Sequence, residues 1–225
     1  METNIIKMMG IADIASLLNA LSGMFAIFAA YYHDATLSAL LLILAVLFDA
    51  IDGPLARRFP SQTSEVFGET IDSLADVISF GIAPAVIIFE LFTTPLVVIP
   101  SVLLLACGIL RLSRYNTIIT QQVGPTKTFI GLPIPVSSFM LSLILLSHLQ
   151  QELLVIIIMT LIAVLMVSSL KYAKMKNKVV LGLCGILLVP TLIYPINDSL
   201  HNIPSYVLII LVIIYLLTPL IGERI

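Results

Sequence analysis

The sequence predicts an all-α integral membrane protein of about eight transmembrane helices preceded by a short interfacial helix, and three observations carry that reading. First, 60% of the 225 residues are hydrophobic and 11% are charged, with a mean hydropathy of +1.14. A soluble domain is about 45–50% apolar and about 25% charged. Second, the apolar residues fall in long runs near the roughly 20 residues that a helix needs to cross hydrocarbon. Third, all eleven Lys and Arg residues sort to one side once those runs are threaded through a bilayer.

The candidate spans are roughly 13–32, 35–57, 64–92, 95–119, 129–149, 151–171, 178–197 and 203–222. Ahead of them, Ile5, Ile6, Met8 and Met9 around Lys7 read as a short helix lying in the interface. Met1 to Gly10 carries one lysine and no small-residue cleavage site, so no removable signal peptide is expected. The chain reads as a single transmembrane domain over residues 1–225.

With both termini cytoplasmic, the inner loops would hold Lys7, Arg57, Arg58, Arg111, Arg114, Lys127, Lys171, Lys174, Lys176, Lys178 and Arg224. The outer loops would hold His33-Asp34, Thr93-Thr94, Gln150-Gln151-Glu152 and Asn197-Asp198-Ser199. Lys and Arg are enriched on the cytoplasmic side of membrane proteins, so this sorting sets the orientation. A net charge of −2 with no basic tract gives nothing for nucleic acid to bind. Cys107 and Cys184 lie singly in apolar runs and read as small buried hydrophobes. The three histidines all fall on the outer side, far apart in sequence, and suggest no metal set.

Helices 2 and 3 break the apolar pattern with acids. Asp49, Asp52, Gly53 and Ala56 are spaced i, i+3, i+4 and i+7, and Gly68, Asp72 and Asp76 are spaced i, i+4 and i+8. Each set occupies one helical face. One Asp at the centre of a membrane helix costs about 2.5–3.5 kcal/mol on insertion scales. Two antiparallel helices would gather four carboxylates, and a cation offsets that cost. An all-oxygen ligand set suits Mg²⁺, Mn²⁺ or Ca²⁺. Gly53 and Ala56 leave the face open to a substrate, and Arg57 offers a guanidinium suited to bidentate phosphate contact. The alternative is a polar bundle interior that pairs with Arg or carries protons.

These residues resemble the signature of the CDP-alcohol phosphotransferases, D-x2-D-G-x2-A-R-x8-G-x3-D-x3-D. Its fixed residues are Asp49, Asp52, Gly53, Ala56, Arg57, Gly68, Asp72 and Asp76. Ten residues, Arg58 to Phe67, stand where the family has eight, an insertion confined to the cytoplasmic turn. It leaves open whether Thr63 or Ser64 matches the family's hydroxyl before the glycine. Further matches are Asn19-Ala20-Leu21-Ser22-Gly23, the run from Asp72 to Gly81 with Pro84, Arg111-Leu112-Ser113-Arg114-Tyr115-Asn116 and Phe129 to Pro135. They are similar to the membrane-embedded phosphatidylserine and archaetidylserine synthases. The resemblance covers roughly residues 11–140, the expected catalytic core. Residues 141–225 carry no such motif.

The resemblance implies two divalent ions, Mg²⁺ or Mn²⁺, held by Asp49, Asp52, Asp72 and Asp76, with Asp76 also the general base. It implies a CDP-activated lipid near Gly53, Ala56, Arg57, Gly68 and Thr63 or Ser64, with Asn19 and Ser22 on the nucleotide side. The acceptor would be L-serine, its carboxylate held by Arg111 and Arg114, with CMP released. It further implies a homodimer in the cell membrane. Phosphate-bearing alcohols such as glycerol phosphate or inositol phosphate would want a denser basic pocket. A cation or proton transporter built on the same acids would be expected to repeat the pattern, and no second copy occurs.

Overall fold

The computed structural model describes residues 4–59, 65–121, 128–147, 149–173 and 178–222. Thr63, Ser64, Lys127 and Arg224 lie outside the described residues. A four-residue helix, α1 (Ile5–Met8), leads into α2 (Ile11–Tyr31). The start of α2 is fixed by Asp13, whose carboxylate accepts the Gly10 N–H at 2.7 Å. A turn through His33, at φ 57°, reverses the chain into α3 (Ala35–Arg58). Asp34 caps α3 by accepting the Leu37 N–H at 2.8 Å. Buried alanines at 15, 26, 29, 30, 39 and 45 let α2 and α3 approach closely, as small residues do in lipid. Helix α3 runs on through Pro54 to Arg58.

The third segment is not one regular helix. It comprises α4 (Glu65–Asp76), a π-helical turn over Val77–Ile82 and α5 (Ala83–Leu91). Pro84 has no N–H, so the Phe80 carbonyl loses its i+4 donor. Ser137 replaces it, donating its hydroxyl to Phe80 O at 2.6 Å, and Ser138 donates to Ser79 O at 2.6 Å. Both serines lie on α7 (Pro135–Leu146), where residues 140–147 are buried without a break. Largely buried, α7 packs against α3, α5, α8, α11 and the π-turn.

A 3₁₀ turn over Pro95–Val97 opens α6 (Val98–Gln121). Helix α8 (Glu152–Val167) follows α7, and α9 (Lys178–Leu192), α10 (Tyr194–Ser199) and α11 (Ile203–Gly222) close the described chain. Two short strands, β1 (Thr128–Ile130) and β2 (Lys171–Ala173), pair antiparallel with Phe129 opposite Tyr172.

The strands correct the all-helical expectation at two ends. The helix expected over 129–149 begins at Pro135, because Gly131 turns at φ 77° and Pro133 follows. The one expected over 151–171 stops at Val167. The seventh, 178–197, breaks after Leu192 into α9 and α10. Among the described residues, four helical stretches are long and apolar enough to cross a membrane: Ile11–Tyr31, Ala35–Arg58, Val66–Leu91 and Pro95–Ile118. Four more, Pro135–Leu146, Glu152–Val167, Gly182–Leu192 and Ile203–Pro219, are apolar but shorter. The chain is thus a mostly helical membrane protein with four long apolar helical stretches among the described residues.

Contacts between helix ends fall in two groups. Near one end of the bundle Arg114 meets Ile130 and Met166 to Ser168. Near the other, Glu152 accepts from Thr93, and Asn197 donates to Leu146 O.

A carboxylate cluster beneath an open cavity

Helices α3 and α4 bring the four signature aspartates together. Oxygens of Asp49, Asp52 and Asp72 lie within 4.8 Å of one another, a group able to hold a metal ion. The carboxyl of Asp49 lies beside that of Asp76, and that of Asp52 beside that of Asp72. Carboxyls this close cannot all stay charged unless a proton or a cation sits between them. Oδ1 of Asp72 is buried with no hydrogen-bond partner, an unfilled acceptor inside the cluster. An all-carboxylate donor set with a spare buried oxygen fits a hard divalent cation.

Above the cluster lies a cavity of about 680 Å³. Asp52, Gly53, Ala56, Arg57, Gly68 and Asp72 of the signature line it. The Arg57 guanidinium extends over Gly53, with Nη1 3.6 Å from where a Cβ would stand. A Cβ at Gly68 would stand 3.0 Å from Asp13 Oδ1, a tight contact.

Asp13 is one of several lining residues that the motif reading missed, along with Gly10, Ala12, Ser16, Phe59, Glu69 and Tyr115. Ser16 donates to Asp52 Oδ2 at 3.1 Å. The sequence held a signal for the first helix: Asp13, Ser16, Asn19 and Ser22 recur every third residue in an otherwise apolar run. That polar stripe faces the aspartates.

Asn19 and Ser22, expected on the nucleotide side, are buried and do not line the cavity. Asn19 donates from Nδ2 to Asp76 Oδ1 at 3.4 Å, and its backbone carbonyl accepts from Ser79 Oγ at 2.8 Å. These bonds set Asn19 between Asp76, itself 7% exposed, and the π-turn. Ser22 satisfies the Leu18 carbonyl of its own helix at 2.7 Å.

The two arginines of α6 part ways. Arg111 is buried, with the Tyr115 ring 5.1 Å and the Phe129 ring 5.9 Å from its Cζ, and its charge acts on Asp76 and Asp49. Arg114 makes four hydrogen bonds to backbone carbonyls of Ile130, Met166, Val167 and Ser168. Both terminal nitrogens of Arg114 are thus engaged by carbonyls, which leaves its Nε–H.

The profile of the family described as CDP-alcohol phosphatidyltransferase matches residues 9–168. The match runs past residue 140, where the recognisable motifs end. Among curated proteins, the archaetidylserine synthase of Methanothermobacter thermautotrophicus is 37% identical over 182 residues, 77% of this chain and 73% of its own. The CDP-diacylglycerol–serine O-phosphatidyltransferase of Methanocaldococcus jannaschii is 35% identical over 176 residues, 77% of this chain and 78% of its own. The Bacillus subtilis protein of that same name is 34% identical over 162 residues, covering 71% and 87%.

Proposed function

Because the chain belongs to the CDP-alcohol phosphatidyltransferase family, we propose that it transfers the phosphatidyl-type group of a CDP-activated lipid to L-serine and releases CMP. The observation that carries this reading is the convergence of four aspartates below a cavity walled by Arg57, Gly53, Ala56 and Gly68. The names of the relatives support serine as acceptor.

Asp49, Asp52, Asp72 and Asp76 would hold one or two Mg²⁺ or Mn²⁺ ions, which when bound neutralise charge on the pyrophosphate and on departing CMP. Arg57, at the cavity wall, pairs with phosphate oxygens, while Gly53 and Gly68 give the pyrophosphate room at the backbone. The family resemblance assigns a further substrate-binding hydroxyl to Thr63 or Ser64. Asp76 takes the proton of the serine hydroxyl as that oxygen bonds to the lipid-side phosphorus, and the bond from that phosphorus to the oxygen of CMP breaks. Asn19 orients the Asp76 carboxylate for this step. Arg111, beside the neighbouring Tyr115 and Phe129 rings, is the partner of the serine carboxylate. With Arg114 engaged by carbonyls, a single arginine suits one carboxylate better than the phosphate of glycerol phosphate or inositol phosphate.

The one-sided distribution of Lys and Arg supports a multi-pass cell-membrane protein with cytoplasmic termini, and the family resemblance supports a homodimer, which mass measurement in detergent would test. CMP release from CDP-lipid, screened over serine, glycerol phosphate and inositol phosphate, tests the acceptor. Serine-dependent release is expected. Release with a phosphorylated alcohol and none with serine would overturn the reading, and no release with any acceptor would favour a transporter.

A further inference from the structure

We infer that Arg114 is a positioning residue that ties β1 to the end of α8 and so keeps Phe129 stacked on Arg111. The inference rests on the reading of Arg111 as the partner of the acceptor's carboxylate. The last carbonyls of a helix have no partner within it and carry partial negative charge. At the end of α8, Arg114 meets that need: Nη1 donates to Val167 O at 3.1 Å and Ser168 O at 2.9 Å, and Nη2 donates to Met166 O at 2.8 Å. The fourth bond, from Nη2 to Ile130 O at 2.9 Å, reaches a different element. One planar fork therefore joins α6, α8 and β1.

The turn leaving β1 is shaped to this fork. Gly131 sits at φ 77°, and a Cβ there would run into Arg114 Nη2 and Met166 O. Its N–H donates to Leu170 O at 2.8 Å, and the next N–H, of Leu132, donates to Leu165 O at 3.1 Å. Phe129, adjoining the clamped Ile130, brings a ring to Arg111 from outside α6. Tyr115, the other ring, is four residues along the same helix and lies 6.2 Å from Phe129. Arg111 and Arg114 lie three residues apart on α6. The first faces the carboxylates and the second fixes the strand that fixes the first. Lysine retains the charge but concentrates its donors on one tetrahedral nitrogen, which cannot span four carbonyls in a plane.

The test measures serine KM, CDP-lipid KM, kcat and thermal midpoint on the full chain in lipid, for Arg114→Lys, Phe129→Leu, their combination and Arg111→Lys. Arg114→Lys and Phe129→Leu are each expected to raise serine KM by roughly 2- to 30-fold, the equivalent of one cation–π contact. CDP-lipid KM should stay within about twofold. The double variant should be no worse than the worse single, because both changes remove the same stacking. Effects that multiply would mean that Arg114 meets serine on its own account, and the inference fails. A fall in midpoint with serine KM unchanged would reduce Arg114 to a structural tie, and it fails again. Serine KM raised in Arg111→Lys but not in Arg114→Lys overturns this inference alone, whereas normal serine KM in Arg111→Lys overturns the acceptor reading as well. Should Arg114→Lys not accumulate, Gly131→Ala disturbs the same fork from the strand side and is expected to move serine KM in the same direction. An unchanged serine KM there counts against the inference.

Discussion

Replacing Asp76 by asparagine separates chemistry from binding. Asp76 is 7% exposed, accepts the Asn19 amide and lies beside the Asp49 carboxyl. A carboxamide has the same shape, can still accept from Asn19, and can donate its own N–H to Asp49. The packing should therefore survive, and the change removes one negative charge and one proton acceptor. A positioned general base is worth about 10²–10⁴ in rate, or roughly 2.7–5.4 kcal/mol at 1.36 kcal/mol per decade. In CMP-release assays at saturating serine and CDP-lipid, kcat should fall by about that factor. Binding of CDP-lipid, measured by titration over a range of Mg²⁺, should weaken by less than about tenfold on the same reasoning. Asp49→Asn gives the contrast. Asp49 belongs to the three-carboxylate group, so metal and nucleotide binding should weaken together, and excess metal should restore part of the rate. If Asp76→Asn instead regains a normal kcat at high metal, or never falls more than a few-fold, Asp76 is a ligand only and the base lies elsewhere.

Three further outcomes follow from the same geometry. Turnover should vanish in excess chelator and return with Mg²⁺ or Mn²⁺, with the thermal midpoint rising as metal is added, since a ligand held only by the folded state stabilises it; full turnover at verified zero metal would refute the metal assignment. Gly23→Ala should lower the midpoint, because the added Cβ would lie 2.6 Å from Ser79 Oγ and 2.7 Å from Ser79 Cα, an overpacking that costs about 1–3 kcal/mol. Gly182→Ala, with nothing within 4 Å of the added Cβ, is the control, and equal effects would refute the packing argument. A cysteine placed at Ser199 should react with an impermeant reagent from outside intact cells and one placed at Lys171 only after the membrane is opened; the reverse would overturn the orientation.

By itself the sequence determined what local pattern can determine. Runs of apolar residues set the membrane class and the order of the helical segments, because burying a helix in lipid depends on composition and length. The spacing of Asp49, Asp52, Asp72 and Asp76 put them on facing sides of two helices, because helical periodicity is a property of the chain alone. What it could not decide is which distant groups those faces meet. At the π-turn after Asp76, Ser137 reaches from another helix to the Phe80 carbonyl that Pro84 leaves unserved, and Ser138 to the Ser79 carbonyl. Asn19 reads as a nucleotide contact in a motif, yet its amide reaches Asp76 across a helix interface. Arg111 and Arg114, alike in sequence and one turn apart, divide because one faces acidic side chains and rings while the other meets the open carbonyls of α8. Hydrogen-bond partners separated by some fifty residues are chosen by packing, and no pattern within a single helix can name them.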